Sequence, residues 1–127
     1  MRVRGIVWAG TRTDRFDETV AFFRDVIGVP LAQEGREFAW GKLPDTSQLE
    51  VFGLGEHPEF TTGPVPEFLV DDLAGALDEL QTAGIEILGD VHLPAGAGDD
   101  GWVHFRAPDG NVYGLTTGAS YTRPLRA

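Results

Sequence analysis

The feature that most constrains the fold of this chain is an internal repeat. Each half carries a strand pattern followed by a helix pattern, and both helix patterns end at a glycine. Gly84 lies 56 positions after Gly28, and Asp71 before the second helix lies 57 positions after Asp14 before the first. Two copies of this length are too few for a solenoid. The repeat therefore predicts one module used twice within the 127 residues.

Each half has the order strand, helix and three strands. Residues 3–11 are rich in β-forming side chains and predict the first strand. Val20, Phe23 and Ile27 share one face of the first predicted helix, which Gly28 ends. Because neither βαβββ unit can close its own sheet, we expect an α+β fold in which two tandem modules pair into one cupped mixed sheet.

The predicted boundaries follow from a segment between the halves that is rich in glycine, proline and polar residues. We expect one domain over residues 1–127. It divides into module one at about 1–54, a linker at 55–62, module two at about 63–118, and a C-terminal tail at 119–127.

Composition narrows the class of partner. Ten Lys and Arg against 20 Asp and Glu give a formal charge of −10, which disfavours nucleic acid and anionic membranes and favours neutral or cationic ligands. The chain has no cysteine, which excludes disulfides and thiolate metal sites. No apolar run approaches the ~20 residues of a membrane span, and no signal-peptide pattern follows Met1. We expect a cytoplasmic protein.

Four segments point to a known superfamily. They are TVAFFRDVIGVPL at 19–31, LEVF at 49–52, LVDDLAGALDELQTAGIEI at 69–87 and FRAPDGNVYGL at 105–115. Their order and spacing resemble the vicinal oxygen chelate superfamily, which groups glyoxalases, bleomycin-resistance proteins and ring-cleaving dioxygenases. The resemblance implies the duplicated fold expected above. It also implies a homodimer, as in the drug-sequestering members whose ligand grooves lie between subunits.

The metal enzymes of that superfamily hold a divalent ion with His, Glu or Gln from the first and last strands of each module. By resemblance the four positions fall among Ile6, Val7 and Trp8, on Glu50, near Val65 or Pro66, and on Gly114. Only Glu50 offers a donor, and Glu67 would add a second only after a one-residue register shift. Open catalytic metal sites usually keep about three protein ligands, so we expect no family-type metal site and no cofactor. His57 and His92 are expected to lie solvated at the surface.

The closing hairpin decides which side chains face the cup. A two-residue turn at 109–110 would pair Phe105 with Gly114, and paired residues share a face. Phe105 should then point into the cup and His104 away from it. Gly114 would leave space opposite Phe105.

The expected cup is aromatic and contains one acid. The first strand contributes Trp8, with Ile6 in one register, and the third strand contributes either Phe38 and Trp40 or Glu37 and Ala39. The predicted ligand-binding residues are Trp8, Trp40, Gln48, Glu50, Phe52, Phe68, Phe105 and Gly114. A carboxylate buried among aromatic rings has its ionised form disfavoured, so Glu50 is the candidate general base or acid.

Three functions remain open from the sequence. The first is a metal-free small-molecule binding protein that sequesters a planar or cationic compound, because aromatic faces and an acid suit such a ligand. The second is a lyase or isomerase that uses Glu50 without a metal. The third is a lyase or dioxygenase with an atypical metal site that includes Glu50.

Overall fold

The repeat predicted from the sequence is present in the structure. The computed structural model describes residues 1–96 and 98–121. The first module contains β1 (Val3–Arg12), α1 (Phe16–Ala21) continued by a π-helix (Phe22–Ile27), β2 (Ala32–Gln33), β3 (Phe38–Lys42) and β4 (Gln48–Phe52). The second contains β5 (Val65–Val70), α2 (Leu73–Thr82), β6 (Glu86–His92), β7 (Gly101–Arg106) and β8 (Val112–Thr117), followed by a 3₁₀ turn (Ala119–Tyr121).

The expected order of elements is confirmed. The exact module boundaries remain a prediction, and residues 122–127 of the predicted tail lie outside the described residues. Within the described part of the chain, no helix is long and apolar enough to cross a membrane.

The eight strands form one mixed sheet in the order β2-β3-β4-β1-β5-β8-β7-β6. The two modules meet at the antiparallel pair of β1 and β5, and each of these strands pairs on its other side with the last strand of its own module, in parallel. One sheet therefore carries both modules, which confirms the α+β fold of two paired βαβββ units.

The helices cover one face of the sheet. Around α1 the buried cluster contains Phe16, Val20, Val29, Leu31, Ala39 and Val51. Around α2 it contains Val70, Leu73, Ala76, Val103 and Leu115. Burying each large apolar side chain contributes roughly 1.5–3 kcal/mol, so these clusters hold the helices to the sheet. The opposite face, here called the cup face, is left for the candidate site.

The first helix departs from its predicted pattern halfway along. Val20 is buried as expected. After Ala21 the backbone widens to a π-helix, in which the amide of Gly28 donates to the carbonyl of Phe23, five residues earlier. The wider turn rotates the following side chains, and Ile27 is 58% exposed instead of buried. Gly28 ends the helix in the left-handed conformation, with φ of 90°, as predicted.

The closing hairpin has a longer loop than the sequence prediction assumed. The amide of Ala107 donates to the carbonyl of Asn111, so three residues, 108–110, form the loop. Gly110 takes the left-handed position of this loop, with φ of 83°. One additional loop residue shifts the pairing by one, and a shift of one residue exchanges the two faces of the strand.

The predicted facing of β7 is therefore wrong. His104 pairs with Gly114, and Phe105 pairs with Tyr113. Phe105 and Phe68 both stack on Tyr113 and pack against the cluster under α2, so neither lines the cup face. His104 faces the cup instead.

Candidate active site

A cavity of about 420 Å³ opens on the cup face and is lined by residues of both modules. Four of the predicted ligand-binding residues line it: Trp8, Gln48, Glu50 and Phe52. Trp40 pairs with Glu50 across the sheet, and its indole N–H donates to Glu34 at 2.9 Å, at the margin of the cavity. Phe68 and Phe105 lie on the helix face, as described above.

The alternatives left open for two strands are decided by packing. Phe38 stacks on Phe52 with ring centroids 5.5 Å apart, whereas Ala39 is buried under α1. On β1, Trp8 is buried in the cavity wall and Ile6 is 60% exposed. The first and third strands thus contribute an indole and a phenyl ring to the cup.

Gly114 does not leave an open space. It pairs with Glu67 on β5, and a Cβ atom at Gly114 would lie 2.6 Å from Cγ of Glu67. The Glu67 side chain therefore occupies the volume over the glycine. The expectation of an open space opposite Phe105 is wrong, because the hairpin register places His104 there and Glu67 fills the gap.

Glu50 is the predicted acid that lines the cavity. The indole N–H of Trp8 donates to Oε2 of Glu50 at 2.5 Å. Burial raises the pKa of Glu50 from its ordinary value near 4.5 to about 7; the hydrogen bond from Trp8 opposes this, and the nearby charge of Glu67 adds to it. A carboxyl group with this pKa can both accept and release a proton near neutral pH.

Glu67 and His104 form a buried pair. Oε2 of Glu67 lies 2.6 Å from Nε2 of His104, and both residues are almost fully buried. Burial raises the pKa of Glu67, while the hydrogen bond and the charge of His104 partly oppose the increase. Sequence reasoning missed this pair, because it needed both the three-residue loop of the hairpin and the register of β5.

The linker supplies two further polar groups that sequence reasoning also missed. Nδ1 of His57 lies 3.2 Å from Oε2 of Glu59, and the same oxygen lies 3.3 Å from Nδ1 of His104. His57 is half-buried and lines the cavity, so the expectation that it is solvated is wrong. His92 is exposed as expected, and its ring stacks on Trp102 at 4.2 Å.

The metal positions implied by the resemblance do not fit a metal ion. At the first position Trp8 offers only an N–H, and this group donates to the Glu50 carboxylate. At the fourth, Gly114 has no side chain. Glu67, beside the third position, is hydrogen-bonded to His104. With no donor at the first and fourth positions, two carboxylates alone do not make a family-type tetrad.

A larger open cleft of about 760 Å³ lies beside the start of α2. Two of its charged residues, Arg4 and Asp71, pair with each other at 2.6 Å, and Asp72 caps α2 through the amide of Gly75. These three charged side chains therefore serve the fold, and the smaller cavity, which contains Glu50 and the buried Glu67, is the better candidate site.

Comparisons with known proteins agree with this architecture. The sequence profile of the Glyoxalase/Bleomycin resistance protein/Dioxygenase superfamily matches residues 5–114. No curated protein matches the sequence significantly.

Three solved structures share the fold at 18% identity. A variant Streptomyces coelicolor methylmalonyl-CoA epimerase, in complex with 2-nitronate-propionyl-CoA, has a TM-score of 0.66 over 93% of this chain and 99% of its own. A superfamily member from Vibrio splendidus 12B01 has a TM-score of 0.65 over 91% and 99%. The Mn(II)-bound glyoxalase from Novosphingobium aromaticivorans has a TM-score of 0.70 over 99% of this chain and 42% of that one. Because the profile spans most of its length, this chain belongs to the Glyoxalase/Bleomycin resistance protein/Dioxygenase superfamily.

Proposed function

We propose that the protein binds a small neutral or cationic organic molecule in the cup and that Glu50 transfers a proton to or from a carbon atom of it. The reaction class is an isomerisation or a lyase elimination that needs no metal at the family positions. One observation carries this proposal. A half-buried carboxylate with a pKa of about 7 lines a cavity large enough for a small substrate.

The surrounding groups suit this chemistry. The Trp8 N–H holds one oxygen of Glu50 and thereby orients the carboxylate. Glu67 and His104 line the same cavity and share a short hydrogen bond, so a second proton-carrying pair is available within it. Two acid–base groups in one site allow a proton to be removed by one and returned by the other.

The charge of the lining limits the substrate. Among the residues that the structure describes, no lysine or arginine lines the cavity, and five carboxylates do: Glu34, Glu50, Glu56, Glu67 and Asp100. Such a surface repels polyanions. A coenzyme A ester, the ligand in the Streptomyces coelicolor structure, therefore fits this cup less well than an uncharged or cationic carbon acid.

A second candidate function is sequestration of a planar cation without chemistry. Phe38 and Phe52 stack in the wall with an interplanar angle of 11°, and Trp8 lies 6.2 Å from Phe52 between ring centroids. Aromatic faces beside ionised acids attract planar cations. This candidate uses the same cavity and differs only in returning its ligand unchanged.

A homodimer, a cytoplasmic location and the absence of nucleic-acid or membrane partners are also proposals. The dimer has support in the surface of the π-helix, where Phe22, Val26 and Ile27 are exposed together. Adjacent exposed apolar side chains often mark an interface between chains. The net charge of −10 supports the other two partner proposals.

Proton transfer predicts exchange of carbon-bound hydrogen with solvent. In D₂O, the protein should accelerate deuterium incorporation into at least one member of a panel of acetoin, dihydroxyacetone and betaine aldehyde, followed by NMR. Glu50→Gln should slow this exchange by about 100-fold or more, since general bases contribute roughly that factor. Glu56→Gln, at an exposed acid of the rim, is the matched control and should keep the rate. Equal exchange in Glu50→Gln would contradict the proposal.

The raised pKa of Glu50 predicts a pH-dependent stability. An acid with a higher pKa in the folded state stabilises the fold while it stays protonated, and this contribution is lost as pH rises from about 4.5 to about 7. Relative to Glu50→Gln, the wild type should lose up to roughly 3 kcal/mol of unfolding free energy over this range, at about 1.4 kcal/mol per pKa unit. Urea unfolding at several pH values measures it. Glu56→Gln should follow the wild type, and parallel curves for Glu50→Gln would show that its pKa is ordinary.

Sequestration predicts binding without turnover. The planar cation proflavine should quench the fluorescence of the tryptophans, since Trp8 and Trp102 line the cavity and Trp40 lies at its margin. Affinity should fall with added salt and rise between pH 6 and 8 as Glu50 ionises. The anion 9-anthracenecarboxylate is the control ligand. Equal affinity for both compounds would exclude the charge-based explanation, and proflavine should be recovered unchanged.

The dimer predicts a species of twice the chain mass in sedimentation velocity at micromolar concentration. Val26→Glu places a charge in the exposed π-helix surface and should shift the protein to monomer. Val91→Glu makes the same change at another exposed valine, on the edge strand β6, and should leave the dimer intact. A wild type that is monomeric at every concentration removes the proposal.

A further inference from the structure

We infer that His57, Glu59 and His104 form a binding site for one divalent metal ion, with Zn²⁺ as the best match. The site lies at one side of the cup and is separate from the family positions. It uses two residues of the linker and one of β7, whereas the family positions lie on the first and last strands of each module. The inference does not depend on the proton transfer proposed for Glu50.

The donor atoms are already close to the spacing that a metal requires. One ligand atom from each of the three residues lies within 4.8 Å of the other two. Oε2 of Glu59 is 3.2 Å from Nδ1 of His57 and 3.3 Å from Nδ1 of His104. A tetrahedral ion with bonds of about 2.0–2.1 Å holds neighbouring donors roughly 3.3 Å apart. Both carboxylate-to-imidazole separations match that value.

The strongest observation is the state of Nδ1 of His104. This atom is buried in a side chain that is 2% exposed, and it makes no hydrogen bond with the described residues. The other ring nitrogen of His104, Nε2, lies 2.6 Å from Oε2 of Glu67. When Nε2 carries the proton and donates to Glu67, Nδ1 presents a lone pair to the Glu59 carboxylate. Two acceptors then face each other, an arrangement that a cation between them would stabilise.

Glu67 completes the pattern expected around a metal-bound histidine. Such a histidine almost always donates its other ring N–H to a carboxylate or a carbonyl, which fixes the tautomer and orients the ring. Glu67 is placed to accept from Nε2 of His104 in this way. Two imidazoles and one carboxylate are also a donor set found in catalytic zinc sites, which keep a fourth position open.

The linker holds its two donors in place. His57 adopts a left-handed backbone with φ of 45°, which is uncommon for a residue other than glycine. Its ring stacks on Phe60 with ring centroids 4.9 Å apart and makes a T-shaped contact with Phe52 at 4.6 Å. The Glu59 carboxylate lies against Gly89, where a Cβ atom would come within 2.9 Å of Oε2. The donors are thus oriented by packing before any ion binds.

The competing explanation is a proton in place of the metal. If His104 carries protons on both ring nitrogens, its imidazolium can sit between Glu67 and Glu59 without an ion. Both explanations involve the same atoms, so the experiment must separate a metal from a proton.

The test is a titration of the untagged, chelator-stripped protein with Zn²⁺ at pH 7.5, in competition with a chromophoric chelator. We expect one Zn²⁺ per chain. His57→Phe and Glu59→Gln should each weaken the affinity by about 10-fold or more, because loss of a direct ligand costs at least as much as loss of a partner that orients one. His92→Phe is the matched control, since His92 is an exposed histidine stacked on Trp102, and its affinity should equal that of the wild type.

Two further measurements distinguish the loss of a metal ligand from misfolding of the variant. Circular dichroism checks the fold of each variant, and Co²⁺ in place of Zn²⁺ should give the visible absorption of a tetrahedral site in the wild type and in His92→Phe. No stoichiometric Zn²⁺ binding by the folded wild type overturns the inference, as does equal affinity in His57→Phe and Glu59→Gln. An imidazolium ¹⁵N spectrum of His104 that Zn²⁺ leaves unchanged also overturns it. Deuterium exchange by Glu50 is a separate readout, so either proposal can fail without the other.

Discussion

The site depends on the antiparallel pairing of β1 with β5, which joins the two modules into one sheet. This pairing sets Trp8 opposite Glu67. The parallel pairs on either side then bring β4 with Glu50 and β8 with Gly114 to the same face. A sheet built from only one module would carry half of these groups. The cavity therefore exists because neither module closes by itself.

Placing the buried Glu67 and His104 and the half-buried Glu50 on this face opposes folding. A buried ionised group costs several kcal/mol unless it is paired or neutralised. Glu67 is hydrogen-bonded to His104. Desolvation raises the pKa of Glu50 to about 7, and its carboxylate accepts a hydrogen bond from the indole N–H of Trp8. Apolar residues at these positions would be more favourable for stability alone. Their presence in a cavity, next to aromatic walls, is typical of sites that bind or transform a ligand.

The superfamily fold is retained here with a different set of polar groups. A fold identifies a scaffold, and function follows from the groups on it. In this chain an indole occupies one implied metal position and a glycine another. Besides Glu50 on β4, the polar groups of the site lie on β5, β7 and the linker, where Glu67, His104, His57 and Glu59 form a continuous chain of contacts.

Most of the fold and part of the candidate site could be predicted from the sequence. The strand that carries Gln48, Glu50 and Phe52 alternates clearly, so its cavity-facing side chains could be identified from period-two spacing alone. The π-helix at Phe22–Ile27 could not be predicted, because the apolar spacing of this segment also fits an ordinary α-helix. Phe68 and Phe105 were assigned to the cup and lie under α2 instead.

The sequence by itself determined the order of elements, the duplication and the residues that end the helices, because periodicity and glycine conformations act locally. Only the tertiary structure decided which side of each strand faces the cup. One additional loop residue in the closing hairpin brings His104 inward and sends Phe105 outward. The placement of His57 and Glu59 was likewise undetermined by the sequence, since an irregular linker has no period and is positioned only by the rings and the strand against which it packs.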